Sequence, residues 1–359
     1  MWWLGLCPTH HIYGFISGTK AFASRSWTRI RDEDRMSTRT ASAVASPNIA
    51  LVKYWGNRDD ALRLPANGSI SMTLGGLETR TTVDLDPLLD QDTLLLNGAP
   101  ASPDSHRRVR QHLDLICALA GLRARARVVS QANFPSGAGI ASSASAYAAL
   151  TLAACAAAGL DFEPRTLSRL ARRGSGSAAR SIFGGFVEWH AADSDDGSFA
   201  EPLAPPDHWP LVDLVAIVSR DPKTVGSTPG HALAQTSPLQ EARLADAPRR
   251  LAECRQAILT RDFDRLAAVA EQDSNLMHAV MQTSVPPLVY WAPQTLTVMQ
   301  SIATWRAGSL PVFYTVDAGP NVHCLCPAEL ASEVTSRLHG LPGVLDILAC
   351  PPGQAAHLI

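Results

Sequence analysis

The stretch from residue 133 to residue 149 limits the possible folds of this chain more than any other. It reads Asn-Phe-Pro-Ser-Gly-Ala-Gly-Ile-Ala-Ser-Ser-Ala-Ser-Ala-Tyr-Ala-Ala. The run from Arg125 to Val129 precedes it and predicts a strand, and the Ala-rich run that continues to Leu160 predicts a helix. Ser142 or Ser143 is a natural N-cap for that helix. The sequence therefore predicts a strand, a loop of small residues and a helix in direct succession.

The loop between this strand and helix has the composition of an anion-binding site. Gly137 and Gly139 let backbone N–H groups come close to an anion, and a helix N-terminus directs unpaired donors and a positive dipole end toward it. No Gly-Lys-Ser or Gly-Lys-Thr follows the glycines, and Gly-x-Gly-x-x-Gly is absent, so the loop is neither a Walker loop nor a dinucleotide fingerprint. These residues alone predict either a phosphate site or an ordinary loop with a helix cap.

The composition argues against several classes of function. The chain of 359 residues has a net charge of −2 and 18% charged residues, so it lacks a basic field that would attract nucleic acid or an anionic membrane. No run approaches the roughly 18 apolar residues that a membrane span requires. We therefore expect a small-molecule substrate, with no nucleic acid and no membrane as partner.

The cysteines point to a reducing compartment. The seven cysteines are odd in number, scattered, and without Cys-x-x-Cys spacing. We therefore predict a cytoplasmic protein without a disulfide framework. His323, Cys324 and Cys326 could suggest a metal site, but alternation along a strand explains them better, and no metal ligand is firmly assigned to the protein.

Residues 1–35 differ from the rest of the chain. Pro8 comes soon after Trp2, Trp3 and Leu4, so no apolar core of a signal peptide forms. Three arginines amid serines in this region faintly resemble a transit peptide. We interpret residues 1–35 as an N-terminal extension that is disordered or not translated.

Three further motifs place polar residues at or near predicted strand ends. Residues 48–59 read Asn-Ile-Ala-Leu-Val-Lys-Tyr-Trp-Gly-Asn-Arg-Asp, and residues 174–181 read Gly-Ser-Gly-Ser-Ala-Ala-Arg-Ser. Residues 314–321 read Tyr-Thr-Val-Asp-Ala-Gly-Pro-Asn. Taken singly, the lysine would be a solvated strand end, the arginine a surface residue beside a helix cap, and the aspartate a turn residue.

Together, the four motifs resemble the GHMP small-molecule kinase superfamily and, within it, the diphosphomevalonate decarboxylases. The resemblance covers about residues 43–350. It implies an α+β GHMP kinase fold: an N-terminal lobe like ribosomal protein S5 domain 2, a C-terminal ferredoxin-like lobe, and an active site in the cleft between them. We place the N-terminal lobe at residues 36–225 and the C-terminal lobe at residues 226–359. The resemblance also implies a homodimer.

The resemblance assigns roles to individual residues. Asp317 is expected to be the catalytic acid/base, Lys53 to stabilise the transferred phosphoryl group, and Arg180 to hold the substrate carboxylate. ATP and Mg²⁺ are the implied cofactors. The residues expected to bind substrate are Tyr54, Asn48, Ser175, Ser177, Arg180 and Ser227. The residues expected to bind the ATP phosphates are Pro135, Gly137, Ala138, Gly139, Ser142 and Ser143.

The implied reaction is the ATP-dependent decarboxylation of a 5-phosphorylated mevalonate. ATP phosphorylates the 3-hydroxyl, and loss of phosphate and CO₂ then gives isopentenyl phosphate or isopentenyl diphosphate. The family usually carries a second lysine four residues after Lys53, where this chain has Asn57, and its Asn-Ser-Ser is here Asn67-Gly68-Ser69. The loss of a positive charge at residue 57 favours 5-phosphomevalonate slightly, with diphosphomevalonate nearly as well supported.

The remaining pattern predicts the other elements. The first strand is expected to run from Ala43 toward Gly56. The region 237–309 reads as mainly helical, with a break at 284–293, and we place its charged residues on solvated faces without any chemistry. Further strands are predicted at 69–74, 78–85, 92–97, 183–189, 211–219, 311–316 and 344–349, and helices at 105–121 and 327–339.

Two other functions stay open at this point. A kinase of the same superfamily, such as a mevalonate 3-kinase, would phosphorylate without decarboxylation, although it would not need to grip the carboxylate with Arg180. A non-catalytic nucleotide- or RNA-binding protein is a second alternative, which the slightly acidic charge balance disfavours.

Overall fold

The computed structural model describes residues 38–134, 142–221 and 225–359. Four of the predicted ATP contacts, Pro135, Gly137, Ala138 and Gly139, lie outside the described residues, as does the extension at 1–35. None of the helices in the described ranges is long and apolar enough to cross a membrane.

The described residues of the first half of the chain contribute strands to three sheets, one of them the two-stranded pair β3-β4, and form three α-helices. Its strands are β1 (Arg39–Ala45), β2 (Asn48–Val52), β3 (Asn57–Asp59), β4 (Leu64–Pro65), β5 (Ser69–Thr73), β6 (Thr79–Asp86), β7 (Thr93–Leu96), β8 (Ala99–Pro100), β9 (Arg125–Ala132), β10 (Phe186–Trp189) and β11 (Ala200–Ala204). Its helices are α1 (Pro103–Ala120), α2 (Ser142–Ala157) and α3 (Pro164–Gly174), followed by a 3₁₀ helix at Gly176–Ile182.

The second half adds one more sheet and the remaining helices. Its strands are β12 (Leu211–Ile217), β13 (Phe313–Thr315), β14 (Val322–Pro327), β15 (Asp346–Cys350) and β16 (His357–Leu358). Its α-helices are α4 (Ser227–Leu233), α5 (Gln240–Thr260), α6 (Phe263–Gln282), α7 (Pro293–Ala307) and α8 (Ala331–His339).

The N-terminal lobe packs helices on one face of a six-stranded sheet of order β16-β1-β6-β9-β7-β8. Strand β9 alternates buried and exposed residues, as expected of a sheet with one covered face. The Ala-rich helix α2 is buried along most of its length and packs against β1 and β6. Its small side chains allow that close approach, which explains why the helix after the small-residue loop is so rich in alanine.

The predicted first strand from Ala43 toward Gly56 is wrong, because the chain forms two strands there. Pro47 lies between β1 and β2, and proline cannot donate a ladder hydrogen bond. Strand β1 joins the six-stranded sheet, whereas β2 joins a four-stranded sheet of order β11-β10-β5-β2. The break moves the chain from one sheet to the other and brings Lys53 to the end of β2.

The C-terminal sheet has the order β13-β14-β12-β15, with antiparallel pairing throughout. With α5, α6 and α7 between β12 and β13 and α8 between β14 and β15, this is the ferredoxin-like arrangement. Strand β12 therefore pairs within the C-terminal sheet, although it precedes the predicted lobe boundary at residue 225. His323 and Cys324 lie on β14, and the six described cysteines are buried and unpaired.

The two lobes share a hydrophobic core, and the C-terminal end of the chain pairs with the first lobe. Ile49 and Ile70 of the N-terminal lobe belong to one buried cluster with Leu266 and Phe313 of the C-terminal lobe. The chain then returns to the first lobe, where β16 pairs with β1. The cleft between the lobes is therefore fixed on both sides by packed structure.

Candidate active site

A cleft of about 280 Å³ lies between the lobes. Described residues from each of the four motifs line it. The predicted residues Lys53, Tyr54, Ser142, Ser143, Ser175, Ser177, Arg180, Ser227 and Asp317 all line it. Residues more than 250 positions apart in the sequence meet here, since Lys53 lies at the end of β2 and Asp317 follows β13.

Lys53 and Asp317 form the charged centre of the cleft. The Nζ of Lys53 donates a hydrogen bond of 2.6 Å to Oδ1 of Asp317. The lysine side chain is 1% exposed and the aspartate side chain 23%, so the carboxylate is the member of the pair that the cleft can reach. Burial alone would raise the pKa of Asp317, but the charges of Lys53, His323 and Arg180 outweigh it and lower the pKa below its usual value. Asp317 is therefore ionised at neutral pH.

Helices α5 and α6 hold the Lys53 backbone in place. The backbone N–H of Lys53 donates to Oδ2 of Asp273 at 2.5 Å, and its carbonyl accepts from Arg243 at 2.8 Å. Asp273 in turn accepts from Arg250 at 2.7 Å, with both side chains fully buried. The prediction that charged residues of this helical region lie on solvated faces is thus wrong for these three. Asp273 and Arg243 are buried because they bind the backbone at Lys53, and Arg250 is buried because it pairs with Asp273.

Helix α6 also positions the strand end that carries Asp317. The backbone N–H of Val316 donates to the hydroxyl of Ser274 at 3.0 Å, and the Val316 carbonyl accepts from Nε2 of His278 at 3.2 Å. Burial lowers the pKa of His278 to about 4, so this imidazole is neutral and can donate from one nitrogen. Asn321, the last residue of the same motif, accepts from the backbone at the end of β12.

Arg180 is buried and lines the same cleft. Its guanidinium donates to Oδ1 of Asn48 at 3.0 and 3.2 Å and to the hydroxyl of Ser69. No carboxylate lies within salt-bridge distance of it among the described residues, and burial lowers its pKa to about 10. Asn48, predicted to bind substrate, is itself buried and contacts Arg180 and Ser181, so it acts on the arginine. Asp317 acts on this guanidinium only through its longer-range charge, so the guanidinium is suited to bind a carboxylate directly.

The aromatic end of the cleft is built around Tyr54. Its ring stacks on His231 with centroids 4.2 Å apart, and its hydroxyl donates to Oδ1 of Asn57. Gly176 lies against the same ring, where a Cβ would come within 2.5 Å of a ring carbon, so this position requires glycine. His231 accepts from the backbone N–H of Gly56 at 3.0 Å through Nδ1, which fixes the turn after the Lys-Tyr-Trp motif.

Hydroxyl groups connect the start of helix α2 to the Gly-Ser-Gly-Ser motif. Ser143 and Ser175 lie 3.1 Å apart between their hydroxyl oxygens, and Ser175 is 3.5 Å from Ser177. Ser142 begins helix α2, and Ser227 begins helix α4 on the other lobe. The cleft thus presents a row of hydroxyl groups from three helical elements.

Three cleft residues had no signal in the sequence. Arg63, Arg108 and His231 line the cleft but belong to none of the recognised motifs. Arg63 lies in the loop that connects β3 to β4, and Arg108 lies in the second turn of α1. The pattern of α1 reports only which face is buried, so it could not separate Arg108 from the neighbouring surface arginines.

Comparison with known proteins gives matches over most of the chain. Residues 45–200 match the diphosphomevalonate decarboxylase-like N-terminal domain, and residues 213–344 match the mevalonate 5-diphosphate decarboxylase C-terminal domain. The diphosphomevalonate decarboxylase of Ganoderma lucidum is 38% identical, covering 84% of this chain and 82% of that protein. The human diphosphomevalonate decarboxylase is 36% identical, covering 84% and 80%.

Solved structures agree with the sequence matches. Mevalonate diphosphate decarboxylase from Staphylococcus aureus gives a TM-score of 0.86 at 36% identity, covering 90% of this chain and 98% of that one. A structure of MDDEF in complex with MVAPP, AMPPCP and magnesium gives 0.85 at 36% identity, covering 90% and 99%. The GHMP kinase fold expected from the motifs is confirmed. Since both domains match in order and the relatives are more than one-third identical along most of its length, the chain belongs to the diphosphomevalonate decarboxylase family of ATP-dependent carboxy-lyases.

Proposed function

We propose that this protein decarboxylates 5-diphosphomevalonate in an ATP-dependent reaction that yields isopentenyl diphosphate, ADP, phosphate and CO₂. The observation that carries the proposal is the placement of two groups in one cleft. The ionised Asp317, paired with Lys53, lines the same cleft as the buried Arg180, which makes no salt bridge to a carboxylate among the described residues. A hydroxyl and a carboxylate of one substrate could contact these two groups together.

The 3-hydroxyl of the substrate would hydrogen-bond to Asp317. A tertiary alcohol is a weak nucleophile, so a carboxylate that orients it and accepts its proton lowers the barrier to phosphoryl transfer. Lys53 keeps that carboxylate ionised and fixed, and its ammonium would stabilise negative charge on the transferred group. Asp317 and Lys53 therefore serve the first half of the reaction.

Arg180 would orient the substrate carboxylate for the second half of the reaction. When the phosphate leaves the tertiary carbon, the C–C bond to the carboxylate breaks and its electron pair forms the alkene. The buried guanidinium, fixed by Asn48 and Ser69, provides two parallel donors for the carboxylate before CO₂ departs. A kinase that stops at phosphorylation would have no use for this arrangement.

The described part of the cleft fits the phosphates of ATP. Ser142 and Ser143 lie at the start of α2, where backbone donors and the helix dipole favour an anion, and Arg63 and Arg108 supply positive charge nearby. The described residues contain no group of three or more His, Cys, Asp or Glu side chains that could hold a metal ion. Magnesium, which neutralises phosphate charge when bound with ATP, would be held by the phosphates together with hydroxyl groups such as Ser142.

The comparisons favour the diphosphate over the slight preference for 5-phosphomevalonate that Asn57 suggested. The relatives named above are diphosphomevalonate decarboxylases. Asn57 has its own local role, because it accepts from the Tyr54 hydroxyl and donates to Asp60 at 2.7 Å. We therefore propose that hydroxyl donors at the Tyr54 end of the cleft, including Ser227 and Thr228, contact the 5-diphosphate.

An assay with both substrates side by side tests this proposal. ADP would be measured by a coupled enzyme and CO₂ by trapping, with 5-phosphomevalonate and 5-diphosphomevalonate at matched concentrations. We expect equal amounts of ADP and CO₂, and a higher kcat/KM for the diphosphate. ADP without CO₂ would indicate a kinase, and a large preference for the monophosphate would overturn the proposed substrate.

We also propose that the protein is a cytoplasmic homodimer with two lobes that meet near residue 225. Light scattering of the purified full-length chain would give the oligomeric state directly. A mass that corresponds to one chain would contradict the dimer.

A further inference from the structure

A second cavity of about 230 Å³ lies beside the cleft. Arg63 and Arg108 line both spaces, but the second cavity is otherwise separate. Its other walls come from α1, α2 and the C-terminal end of α3. The residues of these walls that matter here are His112, Tyr147 and Arg173.

Three arginines converge on this cavity, and no carboxylate lines it. Arg63 donates to the carbonyl of Arg173 at 3.1 Å, and Arg108 donates to the carbonyl of Gly174 at 3.3 Å. These carbonyls lie at the C-terminal end of α3, where the helix dipole is equivalent to about half a unit of negative charge. That charge offsets only part of the positive charge of the three arginines. Arg173 lies 4.0 Å from Asp195, which is shared with two other arginines. Among the described residues no carboxylate makes a salt bridge to Arg63 or Arg108, and Asp60 acts on Arg63 only through its longer-range charge.

Two polar atoms at the cavity wall also lack partners. The Nε of Arg108 is buried without a hydrogen bond. His112 is 4% exposed, and its Nδ1 has no hydrogen-bond partner, whereas its Nε2 lies 2.8 Å from the hydroxyl of Thr151. Buried polar atoms of this kind are rare in folded proteins and are satisfied by a ligand or by water when they occur.

We propose that this cavity is a second anion site, distinct from the catalytic cleft, which binds a tetrahedral dianion of the phosphate class. Such an ion would accept hydrogen bonds from the guanidinium groups of Arg63, Arg108 and Arg173. It could be free inorganic phosphate, such as the reaction is proposed to release, or the phosphate group of a ligand that extends from the cleft. The binding itself does not depend on the proposed decarboxylation.

His112 makes the anion affinity depend on pH. The Thr151 hydroxyl donates to the Tyr147 carbonyl at 2.6 Å, so it accepts from Nε2–H of His112, and Nδ1 carries the lone pair in the neutral ring. Burial, with the charges of Arg173 and Arg63, lowers the pKa of His112 to about 4. The groups that face it are Arg108 on its own helix, Arg63, Arg173 and the neutral Tyr147. A bound dianion would offset the arginine charges, raise the pKa of His112 and favour a proton on Nδ1.

Sulfate is a suitable probe because it stays a dianion throughout the relevant pH range. Titration calorimetry of the full chain would measure its affinity at pH 5 and pH 8, with and without a non-hydrolysable ATP analogue that fills the cleft. We expect tighter binding at pH 5, by roughly tenfold for a rise of two units in the pKa of His112. Sulfate that still binds with the analogue present would identify a free anion as the occupant.

Two variants and one control make the test specific. We expect Arg173→Gln to weaken sulfate binding at least fivefold and His112→Gln to remove its pH dependence. Arg337→Gln makes the same chemical change on α8, where the arginine pairs with Glu333 and does not line the cavity, and it should leave binding unchanged. If the analogue displaces sulfate and Arg173→Gln weakens the analogue, the occupant is the ligand's own phosphate. Sulfate binding that ignores both cavity variants would overturn the proposal.

Discussion

Asp317 contributes to the cleft through its charge rather than through its shape. Its carboxylate contacts Lys53 and is partly exposed to the cleft, while the surrounding backbone is held by α6. An amide of the same size would keep the packing but could not take a proton from a hydroxyl. The substitution Asp317→Asn thus separates chemistry from structure.

We predict that Asp317→Asn lowers kcat for ADP release by roughly 100-fold or more, because general-base positioning of a hydroxyl contributes about that much. Substrate binding, measured by calorimetry, should change by only a few-fold. The variant Asp346→Asn, at an exposed carboxylate that pairs with Arg220, is the matched control. Turnover near that of the wild type in Asp317→Asn would refute the assigned role.

Arg180 depends on geometry as well as charge. Its guanidinium is held by Asn48 and Ser69 so that its remaining donors can meet a carboxylate. A lysine would keep the charge but would lose the planar pair of donors and the contacts with Asn48. We expect Arg180→Lys to lower kcat/KM by roughly 10- to 100-fold, equivalent to about 1.5–3 kcal/mol of charged hydrogen bonding.

ADP and CO₂ should fall together in Arg180→Lys, since both steps would use one oriented substrate. Arg255→Lys, at a half-exposed salt bridge to Glu188, provides a control for the same chemical change. If ADP release fell while the ratio of CO₂ to ADP stayed at one, the role in orienting the substrate would stand. An unchanged kcat/KM would show that Arg180 does not contact the carboxylate.

At the scale of elements, the helices α5 and α6 support the end of strand β2 that carries Lys53. Asp273 binds the Lys53 backbone and the buried Arg250 at once. Removing its charge leaves Arg250 without its buried partner, and such a loss costs about 3–5 kcal/mol in folding free energy. We predict that Asp273→Asn lowers the free energy of unfolding by that amount, as measured by urea denaturation.

Asp246→Asn is the matched control for this prediction. Asp246 also pairs with Arg250, at 2.7 Å, but its side chain is 38% exposed. Pairs of that kind contribute less than about 1 kcal/mol. A similar loss of stability in both variants would mean that burial of the Arg250–Asp273 pair is not what makes it important.

The sequence allowed the cleft residues to be predicted better than the residues that support them. Lys53 and Asp317 lie in contiguous motifs, so the local sequence was enough to select them as residues of one site, and the structure places both in the cleft. Asp273 and Arg243 act on Lys53 from about 200 residues away, and nothing local indicates that pairing. A charged residue in a helical pattern is normally solvated, and only the packed structure reveals the exceptions. The strand break at Pro47 was likewise visible as a residue, but its effect on sheet membership depends on long-range pairing.

At the scale of the whole molecule, we predict that two buried neutral histidines set the acid limit of stability. Burial lowers the pKa of both His112 and His278 to about 4, from an ordinary value near 6.5. The unfolded chain therefore takes up protons below pH 6.5 that the folded chain does not. The two histidines therefore do not lower the folding stability above about pH 6.5. They lower it progressively as the pH falls from 6.5 toward 4.

Each histidine should cost about 2 kcal/mol of folding stability at pH 5 relative to pH 8, because pH 5 lies about 1.5 units below the pKa of a histidine in the unfolded chain. Urea denaturation at the two pH values, in buffers free of sulfate and phosphate, would measure the loss. His278→Gln should reduce the difference by about 2 kcal/mol, whereas His339→Gln, at an exposed position on α8, should leave it unchanged. The sulfate site connects this limit to ligand binding, since an anion that favours protonated His112 would restore part of the stability at pH 5. If His278→Gln lost as much stability between pH 8 and pH 5 as the wild type, carboxylates rather than buried histidines would set the acid limit.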